Sequence, residues 1–303
     1  MGFVDRLAAR ARAAEAGMRS RRTTLTTPLE LARAALVLVA ILAASLLVEM
    51  LFVSPLQARA AQQRAFDRFR GELAAGTAPL AAGDPAAKKG APVSYLQIPS
   101  IGLRQVVLEG TDSGTLFNGP GHRRDTPLPG QAGTSVLMGR RAGFGGPFSR
   151  IGDLVPGALI KVTTGAGVFQ YKALGVRRAG DQAPVELKPG AGRIVLVTSG
   201  GAAFMPSGLV LVDADLTVPG LGGSGPRLDA KTLPDAEKLQ GVDLSTLWRL
   251  AMWLQALVVV VLLALFAWFR WNRAKTWVVF LPALMLIGLL TAGEFARLMP
   301  NLL

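Results

Sequence analysis

Three long apolar runs limit what this chain can fold into. They extend over residues 34–53, 250–269 and 277–295, and Glu49 is the only charged residue of the first. A helix needs about 20 apolar residues to cross the hydrocarbon core of a bilayer. A signal peptide is the alternative for the first run, but that run has full span length and follows a long leading segment. The sequence therefore predicts three transmembrane helices, at 34–53, 247–269 and 277–297.

Positive charge gives the three spans a direction. Seven arginines lie within residues 1–33, and the loop 270–276 contains Arg270, Arg273 and Lys275. Short segments rich in Lys and Arg stay in the cytoplasm. We therefore expect a basic cytoplasmic tail at 1–33, a cytoplasmic loop at 270–276, and an external C-terminus at 298–303. The protein is then a multi-pass protein of the cytoplasmic membrane, with the region between the first two spans extracellular.

The net charge of +13 fits this arrangement, because much of the excess lies beside the apolar runs. The chain lacks the interleaved aromatic and basic residues of single-strand binders. We therefore expect membrane lipids as partners and no nucleic acid.

The region between the first two spans changes character twice. Residues 54–92 have the composition of a helical stalk followed by a flexible linker rich in Ala, Gly and Pro, and residues 219–246 form a second linker. Between them, residues 93–218 contain short β-rich runs such as VSYLQI, TSVLMG and RIVLVTS, separated by Gly, Pro and Asp. Many short strands at regular spacing predict a mainly β domain, a closed barrel or a sandwich.

Composition excludes several kinds of site. The chain has no cysteine, which rules out disulfides, thiolate metal sites and a thiol nucleophile. A single histidine, His122, rules out a His-rich metal site. Glu109, Asp125 and Asp153 lack the spacing of metal ligands, so we expect solvated turn carboxylates there. The sequence predicts no metal and no cofactor.

Four segments of the β-rich region resemble the sortase family, most closely its class D/E type from Gram-positive bacteria. They are LQIPSIGLRQVVLEGT at 96–111, LFNGPGHRRDTPLPGQAGTSVLMGRRAGFGGPFSRIGDLVPGALIKVTT at 116–164, RIVLVTSGG at 193–201 and SGLVLVDADL at 207–216. In order and spacing they are similar to the family's IPxIGL strand, its GPGH and GHRxxFGxPF segments, its LVTC strand and its last strand. The resemblance implies a closed sortase-like β-barrel at 93–218.

Family enzymes cut a sorting signal and join the product to an amine, and the resemblance implies a Cys, a His and an Arg for this reaction. The His position falls on Arg140, the Cys position on Ser199 and the Arg position on Gly208. A Ser hydroxyl needs an adjacent base, which a guanidinium does not provide, and Gly208 offers no cation to an oxyanion. Losing three groups that act as a unit removes activity. The resemblance thus implies a catalytically degenerate member with no catalytic residue.

Two interpretations of the remaining polar residues stay open. His122 either holds neighbouring loop residues by hydrogen bonds, which we favour, or acts as a relocated base for Ser199. Arg140 and Arg141, with Arg123 and Arg124, form either a basic patch that binds an anion or ordinary surface charge. The candidate ligand-binding residues are Arg140, Arg141, His122 and Ser199.

Three functions are therefore considered. The first is a sortase-like pseudoenzyme that acts as a binding or assembly subunit for a membrane or surface protein. The second is an atypical serine hydrolase or transpeptidase that uses Ser199 with His122. The third is an extracytoplasmic sensor or carrier of an anionic envelope ligand. A groove filled by side chains would favour the first.

Ionisable residues near the span ends suggest how the spans pack. Glu49, Arg249, Glu294 and Arg297 are expected at a similar depth, where such groups are costly unless they pair or reach the interface. Glu49 is expected either to pair with Arg249 or Arg297, or to reach the interface alone.

The predicted orientation can be tested with cysteines, since the chain has none of its own. Single cysteines at Ser20 and Ser207 are expected to react with a membrane-impermeant thiol reagent from opposite sides of the membrane, because Ser20 lies in the basic tail. Labelling of both positions from the same side contradicts the orientation.

Overall fold

The computed structural model describes residues 28–178, 180–202, 205–222, 228–270 and 273–302. The expected basic tail therefore lies outside the described residues as far as residue 27, as do residues 271 and 272 of the expected loop. The chain divides into two compact units, Met1–Ser45 and Leu46–Leu303. The described part of the first unit is helical, and the barrel lies within the second unit.

Three helical segments are long and apolar enough to cross a membrane, namely Val39–Ala74, Leu244–Ala267 and Lys275–Leu298. The helices are α1 (Pro28–Val48), α2 (Ser54–Ala74), the single turn α3 (Ser113–Leu116), α4 (Leu247–Arg270) and α5 (Arg273–Leu298). A π-helical turn, Glu49–Val53, connects α1 to α2.

The β-rich region forms a closed eight-stranded barrel, which confirms the expected fold class. Its strands are β1 (Pro92–Ile98), β2 (Leu103–Glu109), β3 (Gly121–His122), β4 (Gly133–Met138), β5 (Leu159–Thr164), β6 (Gly167–Arg178), β7 (Gly192–Ala202) and β8 (Met205–Leu216). Their order around the barrel is β1-β2-β3-β4-β7-β8-β6-β5, and β5 pairs with β1 to close it. The β2–β3 and β4–β7 pairs are parallel and the other pairs are antiparallel.

Alternation of side chains along the strands builds the barrel core. In β6, Phe169, Tyr171 and Ala173 are buried while Gln170 and Lys172 between them are exposed. A strand places successive side chains on opposite faces, so this period of two points one set inward. The Tyr171 hydroxyl also accepts a 2.6 Å hydrogen bond from the Gly130 backbone N–H, which ties a loop of the family-like segment to the core.

Helix α2 lies against the barrel wall instead of standing free as a stalk. Ala58, Ala61 and Phe69 are buried, and the Phe66 ring lies 5.1 Å from that of Tyr95. The segment after α2 was expected to be a flexible linker, and here the structure differs, because Ala82 and Ala87 belong to the barrel core. Small apolar side chains are compatible with a linker, but they also fit closely against a barrel surface. The burial of these two alanines shows that this segment packs on the barrel.

The second expected linker is also docked where the structure describes it. Leu233 and Glu237 are buried, and the Thr111 hydroxyl donates a 2.6 Å hydrogen bond to the Glu237 carbonyl. A Gly- and Pro-rich composition is typical of a loop, but it does not reveal that part of this loop packs on the barrel.

The pairing expected for Glu49 is not seen in the described part of the chain. Glu49 is buried, and a Cβ atom at Gly293 of α5 would lie 3.8 Å from its carboxylate oxygen Oε1. Arg297 pairs instead with Glu294 at 3.8 Å, and Arg249 stacks on Trp248. The first span therefore meets the third through a carboxyl group beside a glycine, not through an ion pair.

Gln62 of α2 acts as a substitute strand partner for β2. Its amide oxygen accepts from the Val106 N–H at 2.7 Å, while its amide nitrogen donates to the carbonyls of Val106 at 3.0 Å and Asn118 at 2.7 Å. Gly119 makes this approach possible, since a Cβ atom there would lie 1.9 Å from the Gln62 amide nitrogen. The side chain thereby satisfies both backbone groups of a β2 residue that the β2–β3 ladder does not reach.

Replacing Gln62 by Leu removes all three hydrogen bonds and leaves the Val106 backbone groups without their partner. We expect the free energy of unfolding of the solubilised chain to fall by about 1–3 kcal/mol, measured as a shift of the denaturant midpoint. Gln63→Leu is the matched control, because Gln63 is exposed on the same helix turn. Equal midpoints for the two variants would contradict this role of Gln62.

Candidate functional site

Strand register brings together, at one end of the barrel, the three positions that the family resemblance assigned to catalytic residues. Strand β4 runs parallel to β7 with Met138 opposite Val197, so the residues that follow β4 lie near Ser199. On the other side of β7, Ser199 lies opposite Leu209 of β8, beside Gly208. The positions occupied by Arg140, Ser199 and Gly208 are therefore neighbours, as in a site.

Ser199 is buried beneath a segment that follows the third span. Its hydroxyl donates a 2.8 Å hydrogen bond to the Leu302 carbonyl, and the Arg141 backbone N–H donates to the same oxygen at 3.3 Å. The Arg141 guanidinium reaches the Ser199 carbonyl at 3.4 Å. Ser199 thus holds a backbone carbonyl of its own chain.

Arg140 is buried within an aromatic wall. Its guanidinium carbon lies 4.5 Å from the ring centre of Phe117 and 5.3 Å from that of Phe144, and the two rings stack on each other at 3.8 Å. It donates a 2.6 Å hydrogen bond to the Ser113 hydroxyl. Burial lowers the pKa of Arg140 to about 9, so the group remains a cation at neutral pH. Such stacking on desolvated rings stabilises a cation.

Gly208 is exposed and has a φ of +72°, a conformation that residues with side chains adopt reluctantly. A Cβ atom there would meet no heavy atom within 4 Å. Space therefore exists for a longer side chain at this position, but the backbone favours glycine.

His122 on β3 is fully buried and faces away from this group. Its Nδ1 lies 2.9 Å from a Glu109 carboxylate oxygen and its Nε2 lies 3.0 Å from the Pro127 carbonyl. A carbonyl can only accept, so Nε2 carries a proton, and Nδ1 donates to the ionised carboxylate. Burial alone lowers the pKa of His122, but the charge of Glu109 and the hydrogen bonds to Glu109 and Pro127 outweigh it and raise the pKa.

The sheet register also separates His122 from Ser199. His122 lies opposite Leu137 of β4, which lies opposite Leu196 of β7. Two strand spacings and three residues along β7 give a separation of roughly 14 Å. The structure therefore does not bring the two residues together as a base and a nucleophile, and His122 makes the hydrogen bonds of a residue that holds its neighbours.

The four arginines do not form one exposed patch. Arg123 pairs with Asp125. The Nε and Nη2 atoms of Arg124 donate to the two carboxylate oxygens of Glu237. Arg140 is buried, and the side chain of Arg141 reaches a backbone carbonyl. The expectation of solvated carboxylates was wrong for Glu109 and Asp125, whose side chains are only 2% and 3% exposed, since each is drawn inward by a cationic partner. Asp153 is exposed, as expected.

Asn301 and Leu302 were not identified from the sequence. Leu302 is fully buried among Leu116, Met138, Val195 and Val197. The Asn301 amide nitrogen donates to the carbonyls of Thr111 at 2.8 Å, Lys238 at 2.9 Å and Ala236 at 3.3 Å. We call residues 299–302 the plug segment, because they cover Ser199. No periodicity or motif marks a four-residue segment, so its role had no signal in the sequence beyond a proline that ends the preceding helix.

Comparisons with known proteins show which family the barrel is similar to. Residues 96–212 match the family model described as Sortase domain. Sortase D of Bacillus subtilis is 35% identical over 77 residues, which are 25% of this chain and only 37% of that protein.

Solved structures of sortases are also similar. A Clostridium perfringens Sortase D5 transpeptidase has 21% identity and a TM-score of 0.45, covering 52% of this chain and 99% of that chain. Sortase C-1 from Actinomyces oris has 26% identity and a TM-score of 0.38, covering 42% of this chain and 75% of that chain.

The buried His122–Glu109 pair predicts a pH dependence of stability. Because the folded pKa of His122 is raised above 6.5, the pair stabilises the fold fully below pH 6.5, and this contribution is lost as pH rises through the folded pKa. We expect Glu109→Gln to be destabilised most at acidic pH and progressively less above that pKa, measured by thermal unfolding with circular dichroism.

Glu186→Gln is the matched control, since Glu186 is exposed. A difference between parent and Glu109→Gln that stays constant with pH would contradict the proposed protonation.

Proposed function

The chain belongs to the sortase family through its barrel, and from this premise we propose that it is a membrane-anchored pseudoenzyme that acts as a binding or assembly subunit at the cell envelope. Its partner is a membrane or surface protein, and the barrel lies on the extracellular side. It has no cysteine transpeptidase activity.

The observation that carries this proposal is the hydrogen bond from Ser199 to the Leu302 carbonyl. A nucleophile must present its oxygen to a substrate carbonyl and pass its proton to a base. The Ser199 hydroxyl instead donates a hydrogen bond to a carbonyl of the same chain, and the residue is 3% exposed. Leu302 of the same chain fills the groove beside Ser199. A filled groove favours a pseudoenzyme over the two other functions.

The surroundings of Ser199 support the same conclusion. Arg140 remains a cation at neutral pH and accepts no proton there, because its pKa is about 9. Gly208 provides no cation for an oxyanion. The side chains of this site pack against aromatic rings or form hydrogen bonds with backbone carbonyls. Such contacts are typical of a binding or structural module.

The two other functions have less support. A serine hydrolase that uses Ser199 with His122 needs the imidazole within about 3 Å of the hydroxyl, and both ring nitrogens of His122 are engaged by Glu109 and Pro127. A carrier of an anionic ligand needs open cations, whereas Arg123 and Arg124 are paired with carboxylates.

We expect the full-length protein in detergent or lipid discs neither to cleave a sorting-signal peptide nor to transfer it to an amine. Ser199→Ala should leave both rates at the same background level, measured by mass spectrometry of the peptide. Ser199→Cys alone should also stay at background, because residues 140 and 208 remain Arg and Gly. The combined change Ser199→Cys, Arg140→His and Gly208→Arg is expected to restore at most a trace.

Ser135→Ala is the control for this experiment, since Ser135 is a buried serine of the neighbouring strand β4. If the parent chain turns the peptide over, and Ser199→Ala abolishes this while Ser135→Ala does not, the pseudoenzyme proposal is wrong. The serine-enzyme function then takes its place.

A further inference from the structure

We propose that the Ser199 site binds an extended peptide through one apolar side chain and the carboxamide side chain before it, and that the plug segment is its resident ligand. A peptide of a partner protein that offers the same two groups takes its place when the plug segment leaves. This inference rests on the proposed function, because it names what the non-catalytic site binds and what closes it.

The apolar half of the site is a fitted pocket. Leu302 is fully buried, and it packs with Leu116 of α3, Met138 at the end of β4, and Val195 and Val197 of β7. These residues come from three elements of the barrel domain, so the barrel domain itself supplies the apolar walls of the pocket. Such walls favour an apolar side chain.

The polar half of the site consists of carbonyl oxygens. The Asn301 amide nitrogen reaches the carbonyls of Thr111, Ala236 and Lys238, and the Asn301 backbone N–H donates to the Gly241 carbonyl at 3.0 Å. Carbonyl groups only accept hydrogen bonds, so this half selects a side chain that donates. It repels a carboxylate, which distinguishes Asn from the nearly isosteric Asp.

Two backbone-directed contacts fix the ligand between these halves. The Ser199 hydroxyl and the Arg141 N–H both donate to the Leu302 carbonyl. These two contacts bind the main chain of any residue at this position. The apolar pocket and the set of carbonyl oxygens around Asn301 select the two side chains. The ligand is therefore a short peptide, not a lipid or a free anion.

The plug segment can leave without unfolding the barrel. Helix α5 ends at Leu298, and Pro300 cannot continue it. The described strands β4 and β7 pair with each other and with β3 and β8, so their ladders do not depend on residues 299–302. Opening then breaks only the contacts of the plug segment, which makes it a local event.

The position of the plug segment connects the site to the membrane helices. It follows α5 directly, and Ala296 and Arg297 of α5 lie against Phe117. A partner that moves α5 away from the barrel withdraws Leu302 from its pocket. The site is thus closed in the isolated protein and opens when the third span is displaced.

The absence of native cysteine allows a test in the full-length solubilised protein. The thiol of Ser199→Cys should react slowly with a maleimide, because Ser199 is covered, whereas the thiol of Ser207→Cys should react fast, because Ser207 is exposed. Adding Leu302→Asp or Asn301→Asp to Ser199→Cys should raise its labelling rate by about ten-fold or more. Gln182→Glu is the matched control, because Gln182 is exposed on a loop away from this site, and it should leave the rate unchanged.

Protection of the thiol in Ser199→Cys should not depend on protein concentration, because the ligand is in the same chain. Loss of protection on dilution would mean that a second copy supplies the segment, and would overturn the inference. Labelling of Ser199→Cys, without a further change, as fast as that of Ser207→Cys would overturn it as well.

Binding in trans is the second measurement. A fluorescent peptide with the sequence of residues 297–302, Arg-Leu-Met-Pro-Asn-Leu, should bind the Leu302→Asp variant and not the parent chain, and the same peptide with Asp for Asn should bind neither. Fast labelling of the double variant Leu302→Asp, Ser199→Cys would show that the site has been released. If the released site then binds neither peptide, the proposed ligand chemistry is wrong. If Leu302→Asp does not fold, Asn301→Asp takes its place.

These readouts involve no bond cleavage, so they do not depend on the turnover assay. Peptide turnover lost in Ser199→Ala would refute the proposed function, whereas the labelling and peptide-binding results decide the inference.

Discussion

The Asn301 side chain joins three parts of the chain that are far apart in sequence. Its amide nitrogen reaches Thr111 after β2 and both Ala236 and Lys238 before α4, while its own backbone continues from α5. Buried backbone carbonyls need partners, and this single carboxamide supplies them where barrel, connecting segment and third span meet. The arrangement holds the barrel to α4 and α5 within one compact unit, Leu46–Leu303. The cover over Ser199 depends on it, because Leu302 is the next residue.

Arg140 carries a buried charge within the barrel domain. This charge is stabilised by Phe117, Phe144 and the Ser113 hydroxyl. A guanidinium in the same place without these partners would carry an uncompensated cost of burial. The aromatic wall therefore has an electrostatic role in addition to packing.

Much of the fold could be predicted from the sequence, but few of the contacts that complete the site could be. Spans and strands are repetitive, so long apolar runs and alternating residues reveal them. The family segments also placed Arg140, Ser199 and Gly208 together. In contrast, Gln62, Glu237 and Asn301 each form hydrogen bonds with residues more than 40 positions away in the sequence. A single polar residue in a helix or loop carries no periodic signal, which is why α2 and the segment before α4 were expected to stand free.

The substitutions at the three family positions depend on one another. The hydroxyl of Ser199 donates to the Leu302 carbonyl, and a neutral thiol in its place keeps a donor, although a weaker one. A cation at residue 208 would need a side chain on a backbone with φ of +72°, which favours glycine. A histidine at residue 140 would lose part of the contact that the guanidinium makes with two stacked rings. The plug segment and the residues at positions 140, 199 and 208 are therefore parts of one arrangement, because Ser199 and the segment after Arg140 hold the Leu302 carbonyl.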